Sequence, residues 1–137
     1  LIWTDAKEHK YIEEAGTMNI LFVIDNVLIT PIAGDTILNG ITRKSVVEIA
    51  KDWGMEVQER KIEVKELSDA LKDGSLTEAF GAGTAATIAP ISNISLHGEN
   101  FLIPESKDYH FHTKVLKYLS EYKIGMHPDK FNWLIKV

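Results

Sequence analysis

Residues 17–24, Thr-Met-Asn-Ile-Leu-Phe-Val-Ile, are apolar almost without a break. So short a run, bounded by Gly16 and by Asp25-Asn26, predicts a strand. Asp25-Asn26 has the make-up of a two-residue hairpin turn, so Val27-Leu28-Ile29-Thr30 is expected to return as the partner strand. Pro31 to Gly40 is punctuated as a loop. The spacing then turns helical from Thr42 to Trp53. Val46, Val47, Ile49, Ala50 and Trp53 share one side, and Gly54 stands where a helix would be capped. Residues 56–64 alternate and predict a strand. Residues 65–73 predict a short helix closed by Gly74. Residues 76–80 and 84–94 read as strands, with Pro90 marking an edge or bulge. Residues 97–106 read as a turn-rich loop, and residues from about 107 to 122 as a helix carried by Phe111, Val115, Leu116 and Leu119. A short strand at Leu1–Asp5, a charged loop over 6–10 and a final strand over 131–137 complete the pattern. Hairpins mixed with helices predict an α/β fold, with a mixed, largely antiparallel sheet or pseudo-barrel and flanking helices.

Composition narrows the class. The 137 residues are 45% hydrophobic and 26% charged, which suits one folded domain. A net charge of −5 argues against a nucleic-acid partner. No apolar run approaches the ~20 residues of a membrane span, so no membrane partner is expected. Cysteine is absent, which excludes disulfides and thiolate chemistry within this chain and agrees with a reducing compartment. The chain opens on Leu1 without a signal-peptide pattern, and a piece of a longer protein is expected.

Three short constellations carry candidate chemistry. Gly40-Ile41-Thr42-Arg43 opens the first helix, where free backbone N–H groups and the positive end of the helix dipole can meet an anion. Thr42 is a candidate cap and phosphate donor; an ordinary capped helix has the same make-up. Phe80-Gly81-Ala82-Gly83-Thr84-Ala85 lets a backbone approach a ligand closely, or else forms a β-bulge. It lacks the third glycine and the following helix of a dinucleotide fingerprint. Glu14 is either a solvated charge beside Glu13 or a carboxylate held against a cationic ring nitrogen.

Taken together, these elements resemble the class IV aminotransferase family, and its branched-chain subgroup in particular. The spaced pattern runs through Glu14, Gly16, Asn19 and Ile20, then Leu28-Ile29-Thr30, then Leu38-Asn39-Gly40-Ile41-Thr42-Arg43. It departs only at Leu21, where an aromatic is usual; Phe22 follows. Ile2-Trp3-Thr4-Asp5-Ala6 and Asp52-Trp53-Gly54 are similar to that subgroup as well.

The resemblance implies the C-terminal, cofactor-binding domain of the D-amino acid aminotransferase-like fold, covering residues 1–137, with pyridoxal 5'-phosphate (PLP) as cofactor. Glu14 would bind the pyridine nitrogen. Ile41 and Thr42 would hold the phosphate, aided by Thr84. Ala85 would offer its N–H to the substrate carboxylate, and Thr17 would line the pocket for cofactor and substrate. The implied reaction is transamination between leucine, isoleucine or valine and 2-oxoglutarate, in a cytoplasmic homodimer. The lysine that anchors the cofactor lies upstream of Leu1–Asp5 in this family, so this chain alone is expected to be inactive. Lys7 and Lys10 read as solvated. A D-amino acid aminotransferase, an aminodeoxychorismate lyase and a non-catalytic anion-binding domain are the alternatives. Some relatives carry a redox Cys-x-x-Cys near the glycine loop, which this chain cannot.

Other residues offer less. His110-Phe111-His112 could be a metal pair, but without a third ligand at a convincing spacing no metal is expected, and a helix start or surface site is. His9, His97 and His127 read as surface residues. Trp3, Trp53 and Trp133 are expected in the core.

Overall fold

The computed structural model describes residues 1–135. Its strands are β1 (Ile2–Thr4), β2 (Ile12–Ala15), β3 (Met18–Ile24) and β4 (Val27–Thr30), followed by helix α1 (Ile41–Asp52) and β5 (Val57–Glu59). Helix α2 (Val64–Asp73), β6 (Leu76–Gly83), β7 (Thr87–Pro90), β8 (Asn93–Leu96), β9 (Glu99–Leu102) and helix α3 (Phe111–Lys123) complete the order. Seven strands form one mixed sheet, and β8 and β9 form a separate hairpin. Every pairing in the large sheet is antiparallel except β4 with β5, which α1 joins as a crossover. The fold is mixed α/β, as the pattern predicts.

Strand β3 is the axis of the molecule. It pairs with β6 along one edge and with β2 and then β4 along the other. Its uninterrupted apolar sequence is explained by burial on both faces. Ile20, Phe22 and Ile24 pack with Leu67 and Ala70 of α2. Leu21 and Val23, facing the other way, pack with Val46 and Ile49 of α1 and with Phe111, Val115 and Leu119 of α3. Leu21 and Phe22 are both fully buried, so the missing aromatic at 21 leaves no gap in the core. Asp25 and Asn26 both take positive φ, the geometry of the tight hairpin that their sequence predicts.

Several expectations fail for local reasons. Residues 12–15 form a strand despite Glu13 and Glu14, because Ile12 and Ala15 reach the core while the glutamates stay half-exposed. The strand expected over 56–64 stops at Glu59, and α2 begins at Val64. The loop expected over 97–106 contains β9, turned by His97 and Gly98, both at positive φ. Residues 131–135 are not a strand. Phe131 and Trp133 stack at 4.4 Å, and the Asp129 carboxylate accepts the N–H groups of Trp133 and Leu134. The last two residues of that expected strand lie outside those described.

The tryptophans are less buried than their apolar neighbours suggest. Trp3 is 51% exposed on the edge strand β1, its Nε1 donating to the Gly16 carbonyl. Trp53 lies past the end of α1 and meets Phe111 and Tyr118 only edge-on. Trp133 is half-buried. His9 and His97 are exposed, and His127 is half-buried, stacked on Tyr118 at 4.5 Å. Lys7 is exposed, while Lys10 pairs with Glu63 at 3.0 Å. Among the described residues no helix is long and apolar enough to cross a membrane.

Candidate functional site

Glu14 sits on β2 opposite Asn19 of β3. Its Oε1 accepts from Asn19 Nδ2 at 3.1 Å and from the Leu38 N–H at 3.0 Å. Asn19 Nδ2 also donates to the Leu38 carbonyl at 2.7 Å. Glu14 is therefore not a solvated charge: it is bonded on one oxygen, and no hydrogen bond to its other oxygen is found among the described residues. Asn19 is buried and pairs across the sheet with Ala82 of β6. One asparagine thus joins the carboxylate, the loop before α1 and the glycine-rich strand.

The loop ends at Gly40, the N-cap of α1, with φ −63° and ψ 139°. Thr42 is not the cap, contrary to expectation. It lies inside the first turn, half-exposed, and no side chain caps the helix. The first intrahelical bond runs from the Lys44 N–H to the Gly40 carbonyl. The N–H groups of Ile41, Thr42 and Arg43 precede it, and no acidic residue lies in that turn. Ile41 is 81% exposed, so the helix opens at the surface. A side chain on Gly40 would collide with Asn19 Oδ1, which is why the loop approaches β3 through glycine.

Gly81-Ala82-Gly83 is not a bulge. The strand runs in register past it, with Gly81 opposite Ile20 and Ala82 opposite Asn19. The glycines make room for Met18: a Cβ on Gly81 would stand 2.6 Å from Met18 Cε, and one on Gly83 2.9 Å from Met18 Cγ. Thr84 and Ala85 follow in the exposed turn to β7. Thr17 is exposed in the turn between β2 and β3. Because Asn19 faces Ala82 in antiparallel register, Thr17 and Thr84 each lie two residues beyond the same pair, at one end of the sheet.

The structure therefore gathers Glu14, the α1 N-terminus with Ile41 and Thr42, and the end of β6 around Asn19, with Thr17, Thr84 and Ala85 at the adjoining turns. The sequence reading gave Asn19 and Met18 no role. The glycines at 40, 81 and 83 were the available signal, since each marks a side chain from elsewhere. Arg43 was also passed over. It is 2% exposed and donates to the Pro31 carbonyl and to Glu59 Oε2, each at 2.9 Å, fastening α1 to β4 and β5.

The histidine pair departs from expectation too. His110 does start a helix, but both histidines are buried, and Glu78 of β6 joins them with ligand-type atoms all within 4.8 Å. Three of their four ring nitrogens are engaged otherwise. His110 Nδ1 accepts the Lys107 N–H, and both ring nitrogens of His112 are hydrogen-bonded. Desolvation raises the Glu78 pKa. The bonds from the His112 side chain and from the N–H groups of His112 and Phe111 outweigh it, so the net shift is downward.

Comparisons with known proteins agree with this layout. Residues 3–94 match the amino-transferase class IV family. The chain is 41% identical over 137 residues to branched-chain-amino-acid aminotransferase 2 of Bacillus subtilis (strain 168) and 36% identical to branched-chain-amino-acid transaminase 1 of the same strain. All of this chain is covered, but only 38% of each relative. Among solved structures, the branched-chain amino acid aminotransferase of Escherichia coli superposes with a TM-score of 0.78 at 30% identity, covering 98% of this chain and 40% of that one. An M4 mutant of the Thermobaculum terrenum enzyme gives 0.79 at 26%, covering 98% and 41%. A family match over residues 3–94, with the Glu14, Gly40–Arg43 and Gly81–Ala85 elements gathered around Asn19, establishes that the chain belongs to the class IV aminotransferases.

Proposed function

We propose that this chain is the cofactor-holding part of a PLP-dependent branched-chain aminotransferase. The parent enzyme would exchange the amino group of leucine, isoleucine or valine with 2-oxoglutarate, as a cytoplasmic homodimer. The observation that carries the reading is the hydrogen-bonded path from Glu14 through Asn19 to the loop of the α1 N-terminus. It ties a carboxylate for a ring nitrogen to N–H donors for a phosphate, the two ends of one phosphorylated pyridine.

The residues fit that cofactor in chemistry. Bound PLP supplies an electron sink for the carbon that carries the amino group. Glu14 would use its second oxygen to keep the pyridine nitrogen protonated. Ile41 and Thr42 would bind the phosphate through N–H groups in the positive field of the helix end, and Thr42 and Thr84 would add hydroxyls. Ala85 would donate its N–H to the substrate carboxylate, and Thr17 would close the pocket beside it. The proton-moving, cofactor-anchoring lysine is assigned to the part of the parent beyond this chain, so the chain by itself should not turn over substrate.

The test uses the full-length protein with PLP. Turnover of leucine, isoleucine and valine with 2-oxoglutarate is expected, and none with all three would refute the substrate reading. In a PLP titration followed by absorbance, Glu14→Ala and Thr42→Ala should each weaken binding at least tenfold. Unchanged affinity in both would mean that the cofactor lies elsewhere.

A further inference from the structure

Helix α3 is held to the sheet by a carboxylate that does more than cap it. Glu78 Oε1 accepts the Phe111 N–H at 2.8 Å, and Oε2 accepts the His112 N–H at 2.9 Å. Oε2 also lies 2.7 Å from His112 Nδ1. An ionised carboxylate only accepts, so Nδ1 donates to it, and in a neutral imidazole that tautomer leaves the lone pair on Nε2. Ser106 Oγ lies 2.8 Å from Nε2, and its hydroxyl donates there. Glu78 and His112 are buried, whereas Ser106 is exposed on the loop before α3.

We propose that Ser106, His112 and Glu78 form a nucleophile, base and orienting carboxylate, and that Ser106 is acylated by small carboxylic esters. A triad is recognised by geometry and roles rather than by sequence order, and each link here is at hydrogen-bond distance. The orienting carboxylate is itself fixed by two backbone donors, which hold the imidazole in the tautomer that the base needs. A cavity of about 530 Å³, walled by Val23, Trp53, Met55, Phe111, Pro104 and Tyr109, reaches Glu78 but is lined by neither Ser106 nor His112, so the serine meets its ester from the exposed side of the loop. The cluster is separate from the site around Asn19: Glu78 pairs with Val23, four residues further along β3, or roughly 13 Å at ~3.3 Å per residue.

In the reaction, Ser106 Oγ bonds to the ester carbonyl carbon as His112 Nε2 takes the hydroxyl proton. The bond from that carbon to the alcohol oxygen breaks, and the alcohol leaves with the proton. Water then cleaves the acyl-serine by the same route, releasing the carboxylic acid and restoring the hydroxyl.

The 137-residue chain is incubated with a fluorophosphonate, which modifies activated serines, and mapped by peptide mass spectrometry. One adduct on Ser106 is expected, with at least a tenfold loss in His112→Gln of unchanged circular dichroism. A second variant decides the matter if His112→Gln unfolds. The chain has no cysteine, so Ser106→Cys introduces a single thiol. Beside the imidazole, that thiol should react with iodoacetamide at pH 6 at least tenfold faster than glutathione. Absence of a Ser106 adduct, an adduct undiminished in folded His112→Gln, or a thiol no faster than glutathione overturns the proposal.

Discussion

Gly40 and Asn19 meet where the α1 N-terminus crosses β3, and the missing side chain of Gly40 is the space that Asn19 Oδ1 fills. Asn19 is 5% exposed and cannot yield outward without breaking its bonds to Glu14 and Leu38. Gly40→Ala should therefore destabilise the fold by about 1–3 kcal/mol, the usual range for overpacking. Urea denaturation of the two proteins checks this, and a cost below about 0.5 kcal/mol would show that the contact relaxes freely.

Asn19→Leu keeps the volume but removes the donor. The Leu38 carbonyl and Glu14 Oε1 each lose a partner in a half-buried setting. A loss of about 1–3 kcal/mol is expected from the unmet acceptors. The same denaturation series measures it.

The two glycines beneath Met18 should differ. Gly81→Ala meets the far end of a flexible side chain at Cε, whereas Gly83→Ala meets Cγ, which has less freedom to move. Gly83→Ala should be the costlier. Adding Met18→Ala should recover part of either loss, with a coupling of about 0.5–3 kcal/mol in a double-mutant cycle. Additive losses would mean that Met18 is not the obstacle.

Arg43 and Lys51 both reach Glu59, at 2.9 and 3.4 Å, but in different settings. Arg43 is 2% exposed, so Glu59→Ala leaves it short of a partner inside the protein, at a cost of about 3 kcal/mol. Lys51 is 56% exposed, and Lys51→Ala should cost under about 1 kcal/mol. Thermal melts of the two variants should keep that order.

Asp5 gives the fold an acid limit. The N–H groups of Tyr11, Glu8, Lys10 and Lys7 bond its carboxylate and hold its pKa well below the ordinary 3.8. A depressed carboxyl stabilises the fold above its unfolded value, and that contribution is lost as pH falls through the folded value. The stability gap between this protein and Asp5→Ala should therefore be full at pH 6 and shrink progressively below pH 3.8. Denaturation at a series of pH values reads the gap, and a gap that is constant with pH would contradict the assignment.

Much of the fold is visible in the chain because its signals are local. The tight β3–β4 turn follows from Asp25-Asn26, and α2 ends at Gly74 in the left-handed region. The β8–β9 hairpin was not read from the chain: His97-Gly98 is a turn signal, but mostly exposed side chains obscured its strands. Strand β2 was not legible, because Glu13 and Glu14 stand side by side between its two buried ends and hide the apolar pattern. The misjudged tryptophans show the same limit. Apolar neighbours in sequence do not tell whether a position lies on an edge strand, as Trp3 does, or past a helix end, as Trp53 does.

The sequence by itself determined β3, β4, α1 and β6, and it placed Glu14, Thr42 and the glycines in the family's motifs. Tertiary structure decided that Asn19 joins these motifs, that Met18 occupies the space above Gly81 and Gly83, and that Glu78 reaches His112 across 34 residues. The reason is physical. Periodicity records which side of an element is buried, whereas the pairing of β3 with β6, and so every contact built on it, is set by the joint packing of distant segments.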